Sequence, residues 1–217
     1  MTDAAPVATS AGSASSTAAS DLESQLAVLL AEGHRTIEVL PLSQALLNGR
    51  VTLQRYRVLL ADLAVVQTAL ERRLDEDGML GELCVGPLVK RGAALTADLT
   101  FWGAPETRES PAAQRLAEWL ALCPIPDVIG AAYVIAGSCF RAAVIAPRLA
   151  RAFNIPCTDD NGIDYLCISS TTLMPAWLAL RERVVEHSAT YDDGAEIANG
   201  AQVMLEGLSA IFSDSRG

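Results

Sequence analysis

The chain has 217 residues, 51% of them apolar, and sixteen Lys and Arg against 26 Asp and Glu give a formal charge of −10. An acidic chain with a pI near 4.6 lacks the basic face that displaces counterions from nucleic acid. No apolar run reaches the ~18 residues of a membrane span without a polar interruption, and the apolar share suits one domain with a core under a solubilising acidic surface.

Residues 1–20 are almost all Ala, Ser, Thr and Gly. They offer too little apolar surface to offset the entropy of ordering them, so a disordered tail is expected ahead of a helical domain over 21–213. The tail has neither the basic start and apolar stretch of a secretory signal nor the Arg of a mitochondrial leader, and the expected compartment is the cytoplasm.

From Asp21 the apolar residues step by three and four. Leu22, Leu26, Leu29, Leu30 and Ile37 line one face of a first helix, which Ser20 or Asp21 can cap. Pro41 breaks it, and a short helix near 42–48 ends at Asn48-Gly49. Thr52 caps a long helix over roughly 53–76, with Tyr56, Leu59, Leu60, Leu63, Val66, Leu70 and Leu74 inward. A fourth helical region covers about 79–102, interrupted at Gly86-Pro87. A fifth follows Ser110-Pro111, with Pro at the favoured first position. The sixth covers 127–153, the seventh 164–188 and the eighth 193–212. Strict two-residue alternation is scarce and no fixed-period repeat occurs. The expected class is all-α, a single domain of about eight helices.

Five cysteines (Cys84, Cys123, Cys139, Cys157 and Cys167) form no C-x-x-C pair. They suggest neither a disulfide framework nor a zinc ribbon and are expected to be small buried groups in a reducing compartment. The chain has no E-x-x-H, G-x-S-x-G, P-loop or dinucleotide fingerprint.

The two histidines are His34 and His187. His34 lies beside the apolar stripe of the first helix with Glu38 one turn later. The carboxylate can accept the imidazole Nδ1 proton, leaving Nε2 free as a metal ligand. The plain alternative is a surface His–Glu pair. His187, in Glu186-His187-Ser188, is expected to face the dipole at a helix C-terminus. The sixth helix holds Gly130 and Gly137, which serve either close helix packing or the approach of a flat ligand. Arg181 and Arg183 are either surface residues or paired donors to a ligand's carboxylates.

Taken in order, these residues resemble a known family. His34-x-x-x-Glu38, Asn48-Gly49-Arg50-Val51-Thr52 with Tyr56, Ala69-Leu70-Glu71, Ala97-Asp98-Leu99, and Tyr133-Val134-x-x-Gly137-Ser138 running into Ala143-Val144-Ile145-Ala146 are similar to the biliverdin-producing heme oxygenases. The bacterial branch associated with bacteriophytochromes is the nearest in pattern. Trp177 and the Ala-rich last helix also fit, so the likeness covers about residues 25–212. It implies heme lying between the first and sixth helices, as substrate and cofactor. His34 would be the axial iron ligand oriented by Glu38. Gly137 would let the backbone approach dioxygen, with Ser138 and Arg141 on the same catalytic side. Tyr133 and Arg181 would border the heme, and Arg181 would hold a propionate. Dioxygen and electrons from ferredoxin or a similar donor protein would yield biliverdin, iron and carbon monoxide, with a bacteriophytochrome as a recipient of the product. Arg141-Ala142 stands where the family carries a second glycine pair, Ala27 and Trp177 stand at positions of basic residues, and Ser138 replaces the aspartate of the animal enzymes. Arg141 motivates an alternative, a non-catalytic heme- or bilin-binding protein on the same fold. A heme-free helical interaction module is the third reading.

Overall fold

A computed structural model describes residues 11–103, 105, 109–158 and 161–214, with the side chains of 11–20 left undescribed. Among the described residues there are nine helices and no strand: α1 Ala11–Glu38, α2 Pro41–Leu47, α3 Leu53–Glu76, α4 Gly78–Leu83, α5 Gly92–Trp102, α6 Pro111–Leu122, α7 Ile125–Phe153, α8 Ser170–Tyr191 and α9 Gly194–Ser213. Helix α1 starts at Ala11, well ahead of the expected cap at Ser20 or Asp21, in a stretch whose alanines favour helix without needing a buried face. The remainder of the expected tail, 1–10, lies outside the described residues.

The start signals act as side-chain caps. Thr52 accepts from the Arg55 amide at 3.2 Å and Ser110 from the Ala113 amide at 2.9 Å, with Pro111 opening α6. Two boundaries differ from the sequence expectation. The region 79–102 divides into α4 and α5, separated by more than the Gly86-Pro87 pair. The expected 164–188 helix begins only at Ser170, because the amides of Asp164 and Tyr165 are taken by the Asp98 carboxylate at 2.7 and 2.9 Å. Side-chain capture of those donors competes with a helical ladder.

Helix α7 runs through the centre, packed on α9 and α8, while α1 lies across α9 and α8 and α3 packs on α5 and α6. By length and composition α7 is apolar enough to cross a membrane, yet 67% of its most apolar window is buried within the fold, as in a core helix. The α7–α9 crossing depends on two glycines. A Cβ on Gly130 would collide with the Ile197 carbonyl, and one on Gly200 with the Asp127 backbone. Close packing is therefore what Gly130 serves. Alongside, Asn199 donates to Asp127 at 2.7 Å. All seven inward residues of α3 are buried, from Tyr56 to Leu74.

Candidate functional site

Helices α1, α2, α3, α7 and α9 and the irregular segment after α7 enclose a cavity of about 120 Å³. Its walls are mainly apolar, with Leu46, Leu59, Leu63, Ile135, Leu208 and Phe212 among them. His34, Glu38, Ser138 and Arg141 line it together, so the fold brings four of the sequence-predicted residues to one place.

His34 reaches across from α1 to α7, its Nε2 3.4 Å from Ser138 Oγ. The Ser138 hydroxyl donates to the Val134 carbonyl at 2.8 Å, so a bond between the two has Nε2–H as donor. Burial holds the His34 pKa below its ordinary value of 6.5; the Arg141 charge adds to this and Glu38 opposes it. The ring is therefore neutral near pH 7. Glu38 takes up a different partner from the expected one. Its Oε1 accepts from the Arg141 guanidinium at 2.8 Å, and no His34–Glu38 hydrogen bond forms. Arg141 lines the cavity with its side chain 43% exposed. Ser43 also faces the cavity, with a buried hydroxyl that has no hydrogen-bond partner.

Tyr133, Gly137 and Arg181 do not line this cavity. They occupy an adjoining cluster where α7 meets α1 and α8. A Cβ on Gly137 would stand 3.0 Å from Leu30 and 3.4 Å from Trp177. The Trp177 ring lies 4.7 Å from Tyr133 and 5.9 Å from Phe140, centroid to centroid. Arg181 pairs with Glu23 and lies beside Tyr133, whose hydroxyl is pushed up to about 12 chiefly by burial. Arg183 instead donates to the carbonyls of Leu83 and Val85 at 2.7 and 2.9 Å, tying down the end of α4.

One wall of the cavity comes from residues that the sequence reading left without a role. Tyr165 and Leu166 line the cavity on a segment that four side chains pin. Asp98 accepts from its amides, as above. Arg91 donates to the carbonyls of Asp164 and Tyr165 at 2.7 and 2.9 Å. Tyr56 and Trp102 both donate to the Gly162 carbonyl, at 3.3 and 2.6 Å. The Ala97-Asp98-Leu99 motif was the available signal. It marked the position, but the partner of a buried carboxylate 66 residues downstream is not written in local spacing. Burial raises the Asp98 pKa to about 6 against the lowering effect of those two amides.

Two other expectations change. His187 does lie near the C-terminal end of α8, but it is buried, with Nε2 3.0 Å from Asp193 Oδ2 and its ring 4.5 Å from that of Tyr191, so it clasps the α8–α9 turn through a side-chain partner. Of the cysteines, Cys84, Cys123 and Cys139 are buried, whereas Cys157 is exposed and Cys167 half-buried, because both fall on the irregular segment outside the packed helices.

Residues 20–155 match the family model described as heme oxygenase. Among solved structures, the chain is similar to heme oxygenase-1 from the cyanobacterium Synechocystis sp. PCC6803 in complex with heme, at 19% identity over 88% of this chain and 90% of that one, TM-score 0.73. It is also similar to the heme oxygenase of Leptospira interrogans, at 18% identity over 88% and 98%, TM-score 0.76. Heme oxygenase-2 from Synechocystis sp. PCC 6803, in complex with heme and NO, matches at 17% identity over 88% and 83%, TM-score 0.75. At such identities the likeness concerns the fold. No curated protein sequence matches the chain.

Proposed function

The chain belongs to the heme oxygenase family, and from that premise we propose that it takes up heme and cleaves it, with dioxygen and external electrons, to biliverdin, ferrous iron and carbon monoxide. The observation that carries this reading is His34, a neutral imidazole lining an apolar cavity. Among the described residues no group of three or more His, Cys, Asp and Glu could hold a metal ion. A single imidazole suits iron that brings its other ligands in a porphyrin. The apolar walls, the neutral ring and the unpartnered Ser43 hydroxyl fit such a group. Bound heme would supply the iron at which dioxygen is activated and the ring that is opened.

The protein's own part is positioning and proton placement. The His34–Ser138 contact leaves no layer for a planar ring, so uptake requires α1 and α7 to part there. Two contacts then break, His34 to Ser138 and Glu38 to Arg141. His34 would hold the iron through Nε2, its proton then residing on Nδ1 instead. Glu38, released by Arg141, becomes the acceptor for that proton, which fixes the tautomer and makes the ligand more basic. Ser138 is freed to face dioxygen, and Gly137 presents a backbone without a Cβ beside it once Leu30 withdraws. In the adjoining cluster Arg181, now paired with Glu23 beside Tyr133, would hold a propionate. Before uptake Arg141 pairs with Glu38, and nothing in that pairing favours the non-catalytic alternative.

We assign the electrons to a ferredoxin or similar donor protein and the biliverdin to a bacteriophytochrome chromophore. The test is aerobic incubation of the heme-loaded protein with ascorbate, or with ferredoxin and its reductase. The heme absorption band should decay as biliverdin absorption grows. A heme band that persists with no biliverdin would refute the oxygenase reading.

A further inference from the structure

The cysteines divide into two chemical populations. Burial raises the thiols of Cys84, Cys123 and Cys139 to about 12, 11 and 11, which keeps them protonated and unreactive. Cys157 and Cys167 lie together instead. Their Sγ atoms are 3.8 Å apart, Cys157 exposed and Cys167 half-buried. They flank the stretch that carries Tyr165 and Leu166 to the cavity wall. Cys167 is anchored: its amide donates to the Ile163 carbonyl at 3.0 Å and its carbonyl accepts from Arg91 at 3.3 Å.

We propose that Cys157 and Cys167 are a redox-modification site, a dithiol that closes reversibly to a disulfide beside the cavity wall. A disulfide needs its sulfurs at about 2.05 Å, so one side must move in from 3.8 Å. Cys157 makes that movement, since it is exposed and lies on the side of the loop that Arg91 does not hold. The oxidant is a low-molecular-weight disulfide such as glutathione disulfide. One cysteine thiolate attacks it, expelling one small thiol and forming a mixed disulfide; the second thiolate attacks the protein sulfur and expels the other. Two protein thiols become one disulfide, and one small disulfide becomes two small thiols, so protons and electrons balance. The closed form ties the start of the loop to its pinned end and stiffens the wall behind Tyr165 and Leu166. None of this depends on what the cavity binds.

The test uses the full chain, reduced, then exposed to excess glutathione disulfide and alkylated in denaturant. Both cysteines fall in one tryptic peptide, residues 152–181, because no Lys or Arg lies between Arg151 and Arg181. The expected result is three alkyl groups on the intact chain instead of five, with peptide 152–181 unalkylated and two hydrogens lighter than its dithiol form. Added dithiothreitol should restore all five, and Cys157→Ser should prevent formation of the lighter peptide. Full alkylation after oxidation, stable glutathione adducts on both cysteines, or a disulfide between two chains would each overturn the proposal.

Discussion

His34, Glu38, Ser138 and Arg141 line the cavity together, and their present pairing differs from the one that a His-x-x-x-Glu spacing suggests. Helical geometry allows Glu38 to reach His34. A guanidinium that approaches from α7 offers the carboxylate a stronger, charge-assisted bond, and Glu38 takes it. The consequence is testable in the heme-free protein. The chain has only two histidines, so proton NMR with His34→Ala for assignment isolates His34. It should titrate below 6.5, as burial and Arg141 dictate, and Arg141→Ala should move it upward. The same variant removes a half-exposed ion pair worth ~0.2–1 kcal/mol that must break for α1 and α7 to part. Heme uptake by stopped-flow should therefore quicken by up to about fivefold. A downward shift, or unchanged uptake, would mean that Arg141 restrains neither the ring nor the cleft.

At the scale of elements, what was legible in the sequence was what local chemistry writes. The apolar stripe of α3, the Thr52 cap and the Ser110-Pro111 start were readable because each signal lies within a turn of its effect. The wall at 163–167 was not, since its conformation depends on Asp98 and Arg91 from another element. Asp98 also gives that wall a pH signature. Its pKa rises from 3.8 to about 6 on folding, so between those values the folded state holds a proton that the unfolded chain has released. Stability from this group is greatest below pH 3.8, declines as pH rises to about 6, and is level above. Urea unfolding across that window should show wild type losing up to ~1.4 kcal/mol per pH unit relative to Asp98→Asn. Parallel slopes would contradict a buried, proton-binding Asp98. The α7–α9 crossing makes a second claim. Gly200→Ala forces a methyl group into the Asp127 backbone and should cost about 1–3 kcal/mol or more. An unchanged urea midpoint would mean that the helices do not meet so closely.

For the whole molecule, fold class and cavity partners were unequally accessible. Helical periodicity alone yields an all-α domain, and the order of short motifs narrowed it further. His34, Glu38, Ser138 and Arg141 do converge on one cavity. Tyr133, Gly137 and Arg181 gather one face of α7 away, behind Leu30 and Trp177. Sequence spacing cannot separate these two groups, because adjacent faces of one helix interleave along the chain. Both groups would meet a single ligand only after α1 and α7 separate, and His34 is the residue through which that ligand would be fixed. Titration of the wild-type chain and His34→Ala with ferric heme therefore tests the account most directly. The wild type should give a saturable spectrum of histidine-ligated heme, and His34→Ala should lose that signature. A variant that keeps the wild-type ferric spectrum would contradict the assignment of His34 as the iron ligand.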